Sequence, residues 1–324
     1  MEMRPAATMH RPPSLRARAR ATAIAFAAAT VVLAVALAMA GSVHARPAQA
    51  DACRMRDIPA ADVVARVPFE TVDGRIYVQA MVDGQGPFRF AVDTGASNMA
   101  RADAKLVSAL KLPIQGATAN SDGVRTATAA TVRIDTLQLG NLVRKDIEAI
   151  TRDYRGRSTP EGAFDGILAR DFFADGLLVV DYPARILTFS RKESLSPDAP
   201  GALAYRRAFR VPVSIGTIQV EGNIDTGADI AFVLPKALYD RLGAGPVRAA
   251  GRGDMANGKV DSWSATVRGP IRVGNAAFPD AGVRVVDGYP ELLVGARALQ
   301  QSILMIDQRS MRVAVCPQRD LGGS

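Results

Sequence analysis

The sequence predicts a mostly β protein made of two similar lobes, and this prediction rests on a duplicated segment. Phe90-Ala91-Val92-Asp93-Thr94-Gly95-Ala96-Ser97 is an apolar run that ends in an acid, a hydroxyl residue and a glycine. Asn223-Ile224-Asp225-Thr226-Gly227-Ala228-Asp229 repeats this arrangement. The apolar runs are typical of buried strands, and the glycine permits a sharp turn after each one. A single Asp-Thr-Gly is a common turn, whereas two copies in the same local context indicate a repeated unit.

The repeat extends in both directions from the two Asp-Thr-Gly segments. Three upstream positions keep the same spacing in both copies: Arg75, Gly84 and Asp93 in the first, and Arg207, Gly216 and Asp225 in the second. Downstream, residues 104–110 and 235–242 each predict a short amphipathic helix. Residues 166–173 then correspond to residues 292–299, and an apolar strand with one aspartate follows in each copy.

The predicted organisation places this repeat between a targeting segment and a short tail. In chain order we expect a signal peptide or anchor (1–50), a lead-in (51–74), lobe one (75–191), a linker (192–206), lobe two (207–317) and a tail (318–324).

The first fifty residues have the layout of a bacterial-type secretory signal. Arginines precede an apolar run over residues 21–40, and small-x-small sites follow it. About 20 apolar residues can also span a bilayer, so an uncleaved N-terminal anchor is the alternative. Either way we expect an exported protein, periplasmic or secreted, that contacts a membrane only through this segment if it is retained.

Composition excludes several classes of function. Most of the net charge of +8 comes from the first fifty residues, which hold six arginines and one acid. No dense basic cluster follows, so a nucleic-acid partner is not expected. Both histidines, His10 and His44, also lie in this segment. The remaining chain therefore cannot form a Ser-His-Asp triad, a Cys-His pair or a His-bound zinc site.

The two cysteines, Cys53 and Cys316, lie near the two ends of the exported part. Export permits a disulfide, and an exported protein with two cysteines tends to pair them. We favour a bridge that ties the N-terminal segment to the last strand, with two free thiols as the alternative.

The duplicated Asp-Thr-Gly-Ala segments, together with Ile167-Leu168-Ala169-Arg170-Asp171, resemble single-chain aspartic proteases of the retropepsin/pepsin type over about residues 66–316. This resemblance implies a bilobal acid-protease fold, with two similar closed-barrel-like β lobes, short helices and a cleft between them. It implies that Asp93 and Asp225 are catalytic and activate a shared water to hydrolyse a peptide or protein substrate. No cofactor and no metal ion are implied, and no dimer is required because one chain supplies both lobes.

The resemblance also assigns supporting roles to the residues that follow each aspartate: Thr94, Gly95 and Ala96 in lobe one, and Thr226, Gly227 and Ala228 in lobe two. The threonines are expected to hydrogen-bond across the two loops, and the glycines to bring backbone N–H groups to the carboxylates. The alanines have no hydroxyl that could stabilise the ionised acid. We therefore expect a less acidic pH optimum than that of pepsin-like enzymes.

Two predicted hairpins occupy the positions of the flaps that close over substrate in this family. Their candidate tips are Asp122 and Gly123 in lobe one, and Asn257 and Gly258 in lobe two. Trp263, the only tryptophan, follows the second tip, and the alternatives for it are lining a specificity pocket or, more commonly for such a residue, a core or rim contact.

Three features depart from the family pattern. Ala169 stands where the first lobe is expected to have glycine. An Arg–acid pair expected within each lobe is split, because Arg170 lies opposite Ser97, and Asp229 lies opposite an alanine with Arg297 adjacent. Neither flap carries a tyrosine. These departures leave two alternatives open: a catalytically silent peptide-binding protein, and a dedicated processing protease with one partner substrate.

Overall fold

The computed structural model describes residues 51–318 except Ala208 and Ala256, and it does not describe the side chains of Arg157, Asp254 and Met255. The predicted signal or anchor (1–50) and most of the predicted tail lie outside the described residues. In the part that is described, no helix combines the length and the apolar character needed to cross a bilayer.

Strands dominate the described chain, as the sequence predicts. The strands are β1 (Ala65–Pro68), β2 (Glu70–Val72), β3 (Arg75–Val82), β4 (Gln85–Asp93), β5 (Ala100–Asp103), β6 (Ile114–Ser121), β7 (Thr126–Leu139), β8 (Leu142–Arg152), β9 (Gly166–Ala169), β10 (Leu177–Asp181), β11 (Ile186–Ser190), β12 (Leu203–Ala204), β13 (Arg210–Ile215), β14 (Ile218–Asp225), β15 (Phe232–Pro235), β16 (Arg248–Met255), β17 (Gly258–Val267), β18 (Ile271–Val273), β19 (Ala276–Phe278), β20 (Ala281–Val286), β21 (Leu292–Gly295), β22 (Ser302–Asp307) and β23 (Arg312–Pro317). The α-helices are α1 (Ala104–Leu110), α2 (Lys236–Leu242) and α3 (Ala296–Leu299), and the 3₁₀ turns are Ala52–Arg56, Ala60–Asp62, Arg155–Arg157 and Arg170–Phe173.

Each lobe is built around one large sheet. The lobe-one sheet has eight strands in the order β2-β3-β4-β9-β5-β8-β7-β6, and an additional pairing between β3 and β7 closes most of it into a barrel. The lobe-two sheet has nine strands in the order β16-β17-β20-β15-β21-β14-β13-β18-β19. The mostly β, bilobal fold predicted from the duplicated segment is therefore confirmed.

The near-continuous apolar run of β4 has a simple cause, since both of its faces are covered. Phe90 and Val92 are buried in the main core, and Ala91 packs with Tyr77 in a separate small cluster on the other face. Successive side chains of a strand point to opposite faces. Asp93 therefore emerges on the same face as Ala91, which lines the cleft.

A third sheet joins the two lobes and was not predicted from the sequence. Its six strands run in the order β1-β11-β10-β22-β23-β12, and β10 pairs antiparallel with β22. In this pairing Val179 lies opposite Met305, its counterpart in the duplicated unit, so the pseudo-twofold axis passes between them. One face of this sheet packs on a small core that includes Cys53 and Cys316, which form a disulfide.

Candidate active site

The two candidate catalytic aspartates end equivalent central strands. Asp93 ends β4, which pairs parallel with β9, and Asp225 ends β14, which pairs parallel with β21. In each lobe the final pair of that ladder joins the aspartate to the residue at the end of the neighbouring strand, Ala169 or Gly295. Rigid buried strands on both sides therefore determine where the carboxylates lie.

Reciprocal hydrogen bonds join the two Asp-Thr-Gly loops. The Thr94 N–H donates to Thr226 Oγ1 at 3.1 Å, and the Thr226 N–H donates to Thr94 Oγ1 at 3.0 Å. The hydroxyls in turn donate to backbone carbonyls of the opposite lobe, Thr94 to Ile224 at 3.1 Å and Thr226 to Val92 at 2.7 Å. Because both threonines are buried, these four bonds form away from competing water. They hold the two loops face to face.

Each carboxylate lies against the glycine of the opposite loop. A Cβ placed on Gly95 would lie 2.5 Å from Asp225 Cγ, and one placed on Gly227 would lie 2.3 Å from Asp93 Cγ. No side chain fits at either position without moving an aspartate. The two glycines therefore allow the two carboxylates to approach each other.

The backbone donors to the carboxylates differ between the lobes. The Gly227 N–H donates to Asp225 Oδ1 at 2.8 Å, as predicted. In lobe one the donor to Asp93 Oδ1 is the Ala96 N–H, at 2.9 Å, so the role predicted for Gly95 falls to its neighbour. Ala96 and Ala228 both lie in the wall of the cleft beside the aspartates.

The surroundings of Asp225 favour its protonated form. Burial raises the pKa of this carboxyl, and the nearby charge and hydrogen bond of Asp93 raise it further, while the Gly227 N–H and Arg75 act in the opposite direction. The resulting pKa of Asp225 lies well above the usual range of an aspartate. Two like charges this close cannot both form readily, so the pair retains one proton where isolated aspartates would be fully ionised.

The split Arg–acid pair is resolved by residues that sequence reasoning did not connect. Arg75 donates through Nε to the Gly227 carbonyl at 2.6 Å, and its guanidinium lies 3.9 Å from Asp229. Arg297 instead pairs with Asp73 at 2.8 Å. Lobe one thus supplies the arginine, Arg75, that supports the lobe-two loop. Arg297, the partner expected for Asp229 within lobe two, forms its ion pair with Asp73 on the lobe-one side instead.

The alanine at the expected glycine position fits in lobe one only. Ala169 is fully buried, and its N–H donates to Met99 O at 3.0 Å. At the equivalent Gly295, a Cβ would lie 2.2 Å from Ile230 O. Asn98, unlike its counterpart Ile230, has φ of 68°, in the left-handed region, so the two loops follow different backbone paths beside this position.

The candidate flaps meet at their tips, above the aspartates. The Asn257 N–H donates to Asp122 Oδ2 at 2.6 Å, and its side-chain amide donates to Asn120 O at 3.0 Å and Arg125 O at 2.8 Å. Arg152 connects Asn257 Oδ1 and Asn120 Oδ1 at 2.7 and 2.6 Å. We call this set of contacts the tip latch.

The other two candidate flap residues also lie at this meeting point. A Cβ placed on Gly123 would lie 3.7 Å from Cε2 of Tyr289, and one placed on Gly258 would meet the Arg125 side chain. Burial acts to raise the pKa of Asp122, but N–H donors from Arg125, Asn257 and Val124 outweigh it, and the net pKa is lowered. Asp122 therefore stays ionised, and can accept these bonds, in moderately acidic solution.

The cleft between the lobes has a volume of about 870 Å³, within the range of specific ligand pockets. Its wall includes several residues that sequence reasoning missed: Arg101, Arg152, Tyr154, Phe164 and Tyr289. Arg101 could have been singled out from the sequence, because the equivalent strand position in the second copy of the repeat is Val233. Trp263, by contrast, packs partly buried against the main core. Within residues 51–318 as described, no three His, Cys, Asp or Glu side chains are grouped closely enough to hold a metal ion.

Two β lobes, each contributing one Asp-Thr-Gly loop to a shared cleft, define the class of aspartic proteases. A family model described as aspartyl protease matches residues 78–172 and 211–304, the two copies of the repeat and together more than half of the chain. The chain therefore belongs to the aspartyl protease family. A comparison with curated protein sequences gave no match.

Proposed function

We propose that this protein is an aspartic endopeptidase that hydrolyses peptide bonds with a water activated between Asp93 and Asp225. One observation carries the proposal: the two carboxylates lie face to face, each against the glycine of the opposite loop. The hydrogen bonds between Thr94 and Thr226 support it, because they hold this geometry before any substrate arrives. Such preorganisation lowers the reorganisation needed at the moment of reaction.

The chemistry follows from a pair that shares one proton. The ionised carboxylate takes a proton from the water, whose oxygen attacks the carbonyl carbon while the protonated carboxyl donates to the carbonyl oxygen. The product is a neutral gem-diol. The newly protonated acid then donates to the amide nitrogen, the other acid takes a proton from one hydroxyl, and the C–N bond breaks. A carboxylic acid and an amine leave, and the pair again holds one proton.

The substrate class is a peptide or an unfolded protein segment in an extended conformation. The tip latch roofs the cleft, so a bound chain passes between the flaps and the two aspartates. An extended peptide is narrow enough for this passage, and its side chains point alternately to opposite sides, towards the walls of the two lobes.

The experiment is cleavage of a diverse peptide library by the purified protein between pH 3 and 8, beside Asp93→Asn and Asp225→Asn. The matched control is Asp135→Asn, an exposed aspartate in an ion pair with Arg133 outside the cleft. Cleavage by the wild type and the control that is lost in both cleft variants supports the proposal. Cleavage that survives in either cleft variant overturns it.

The remaining outcome separates the two alternatives. If the wild type cleaves nothing in the library, the Asp225→Asn protein is used to capture bound partners. A partner that wild type then cleaves identifies a dedicated processing protease. A partner that is bound and left intact identifies a catalytically silent peptide-binding protein and contradicts the endopeptidase proposal.

We also propose that the protein acts outside the cytoplasm, in the periplasm or as a secreted protein. The disulfide between Cys53 and Cys316 supports this proposal, since such bonds persist in oxidising compartments. Fractionation of expressing cells, followed by mass determination of the protein's N-terminus, distinguishes a cleaved signal from a retained anchor. Recovery of the protein in the cytoplasm with both thiols reduced would contradict export.

A further inference from the structure

A buried arginine lies in the lobe-one wall of the cleft. Arg101 is 7% exposed, is the second residue of β5 and lines the same cavity as the two aspartates. Its Nε has no hydrogen-bond partner, and among the described residues no carboxylate forms an ion pair with it. Burying a charge without a counter-ion costs several kcal/mol, on the order of the penalty known for unpaired buried ions.

The acid closest to Arg101 along its strand, Asp103, already accepts hydrogen bonds from other donors. Asp103 is fully buried on the same face of β5, where its Oδ1 accepts from the Lys105 N–H at 2.9 Å. Its Oδ2 accepts from the N–H groups of Tyr154 and Arg155 at 2.8 and 3.0 Å. Asp103 thereby holds the N-terminus of α1 and the segment that carries Tyr154. Its carboxylate oxygens are taken up by these backbone amides.

The duplicated unit shows that the fold does not require an arginine at this position. Arg101 pairs opposite Ile167 on β9, and the equivalent residue of lobe two, Val233, pairs opposite Leu293 on β21. The same place in the same architecture is therefore filled by a valine in the other wall. Val233 packs there in an apolar cluster with Val286, Tyr289 and Leu293. At this position the two walls of the cleft thus differ in charge.

A second unpartnered donor lies beside Arg101. The Tyr154 hydroxyl is buried and its O–H has no acceptor, and the guanidinium of Arg101 lies close enough to act on the phenol oxygen through its charge and as a donor. Burial is the largest influence on this phenol and raises its pKa, so the group keeps its proton and remains a donor. The ring packs on Phe164 with centroids 5.6 Å apart, and Asp103 holds the backbone. A guanidinium and a hydroxyl are thus presented together, without an acceptor, on a rigid wall.

We propose that Arg101 and Tyr154 form a carboxylate-binding subsite in the lobe-one wall, and that the substrate is a peptide with a Glu or Asp side chain there and an apolar side chain against the Val233 wall. The inference rests on the proposed function, in which a peptide occupies the cleft. A carboxylate supplies both missing acceptors, since a guanidinium binds it through two parallel hydrogen bonds and the phenol adds a third. Because the donors are already buried, an uncharged residue at this position leaves them unpaired, which is the basis of strong discrimination.

The test uses pools of acetylated and amidated octapeptides. One position is fixed as Glu or Gln, and the others are mixtures of Ala, Leu and Phe, so that a side-chain carboxylate is the only one present. We expect wild type to cleave Glu pools about 10–100 times faster than matched Gln pools at one position relative to the cut, the ratio expected for hydrogen bonds to a charged group. In Arg101→Met this ratio falls to about 1. A ratio near 1 in wild type overturns the subsite.

A second arm separates side-chain carboxylates from the peptide terminus. Gln pools with a free C-terminal carboxylate replace the amidated ones. If only these pools are cleaved faster than the amidated Gln pools, and the difference depends on Arg101, the subsite binds the C-terminal carboxylate of the peptide. The inference of an internal acidic residue is then wrong.

Further variants guard against a purely structural role. Arg101→Lys retains the charge but not the planar pair of donors, and Tyr154→Phe removes only the hydroxyl, so both are expected to give intermediate ratios. Arg133→Met, an exposed arginine paired with Asp135, is the matched control and leaves the ratio unchanged. A structural arginine predicts the reverse pattern: Arg101→Met lowers the melting temperature and leaves the ratio intact. On our inference the melting temperature without peptide does not fall, because an unpaired buried charge has been removed.

Failure of the proposed function has a different signature. If wild type cleaves no pool, no library peptide and no captured partner, the endopeptidase proposal fails, and binding of the same pools to wild type and Arg101→Met then decides the subsite. Tighter binding of Glu pools by wild type alone upholds it. Equal binding of Glu and Gln pools overturns it.

Discussion

At the residue scale, the two lobes differ most sharply at one buried methyl group. Ala169 carries a methyl under the first loop, whereas Gly295 has no room for one, because Ile230 O would lie 2.2 Å from its Cβ. That carbonyl also accepts the Arg297 N–H at 3.1 Å, so it cannot move without losing a hydrogen bond. A single alanine is therefore tolerated in one copy of the repeat and excluded from the other.

We predict that Gly295→Ala costs about 1–3 kcal/mol of unfolding free energy, the usual effect of overpacking, and at least tenfold in kcat/KM. The activity loss is expected because the displaced loop carries Asp225. Thermal unfolding and peptide cleavage measure the two effects.

The reverse substitution, Ala169→Gly, is the matched control. We expect it to cost less than about 1 kcal/mol, the scale of a glycine in a strand. Equal costs for the two substitutions would show that the difference between the loops has no energetic consequence.

The acidity of the aspartate pair is also set at this scale. Burial and the charge of Asp93 raise the pKa of Asp225, and neither Ala96 nor Ala228 offers a hydroxyl to the ionised form. The proposed reaction requires one shared proton, so we expect activity to persist as pH rises until that proton is lost at the raised pKa. We predict that kcat/KM falls on the alkaline side only above about pH 4.7, which is the upper pKa of the pepsin pair.

Ala228→Ser tests this cause directly. A hydroxyl that donates to the ionised carboxylate lowers its pKa, so the alkaline limb is expected to move towards acid. Ala228→Cys, which is similar in size but a weak donor, controls for volume. An alkaline limb that is pepsin-like in the unaltered protein, or unmoved by serine, would contradict the explanation.

At the scale of elements, the two flap hairpins act as one roof because of the tip latch. The hairpin of β6 and β7 and the hairpin of β16 and β17 come from different lobes, and Asn257 makes four bonds at their meeting point, three to the first hairpin and one from Arg152 at the end of β8. Three of these four involve its side chain. Loss of that side chain is expected to weaken the closed roof.

We predict that Asn257→Ala raises KM about 5–30-fold, the factor that corresponds to 1–2 kcal/mol, because less of the protein is closed over bound peptide. Steady-state kinetics on a cleaved library peptide measure it. Asn141→Ala, in an exposed hairpin turn between β7 and β8, is the control. An unchanged KM in Asn257→Ala would mean that the latch does not act on bound substrate.

At the scale of the whole molecule, the six-stranded sheet makes the two lobes one body. Strands β10 and β22 form its centre, and the N-terminal 3₁₀ turn Ala52–Arg56 covers part of one face beside β23. The disulfide joins this turn to β23 across a sequence separation of 263 residues. It therefore restricts the unfolded chain over nearly the whole described length.

We predict that replacing Cys53 and Cys316 together by alanine lowers the unfolding free energy by about 2–5 kcal/mol, as for other native disulfides. Activity well below the melting temperature is expected to remain, because the loops of Asp93 and Asp225 are held by the threonine hydrogen bonds instead. Denaturant unfolding with and without reductant gives the measurement. A reductant effect of the same size on the double variant would show that the loss has another cause.

Much of this could be predicted because the chain contains the same unit twice. Local pattern determined the strands that end at Asp93 and Asp225, the helices near residues 104 and 236, the hairpin tips and the family, since each depends on residues close in sequence. The repeat then indicated that the two acids belong together. Even the disulfide could be expected, from two cysteines in a chain whose first fifty residues predict export.

Only the tertiary structure decided which residues of one lobe serve the other. The ion-pair partner of Asp229 is Arg75, and that of Arg297 is Asp73. Asp122 accepts a hydrogen bond from the Asn257 N–H, and all three contacts join one lobe to the other. Pattern within one copy carries no information on such contacts, because they depend on how the lobes are placed by the shared sheet. The burial of Arg101 without a counter-ion is also a property of that packing, since exposure and unpaired donors exist only once both walls of the cleft are in place.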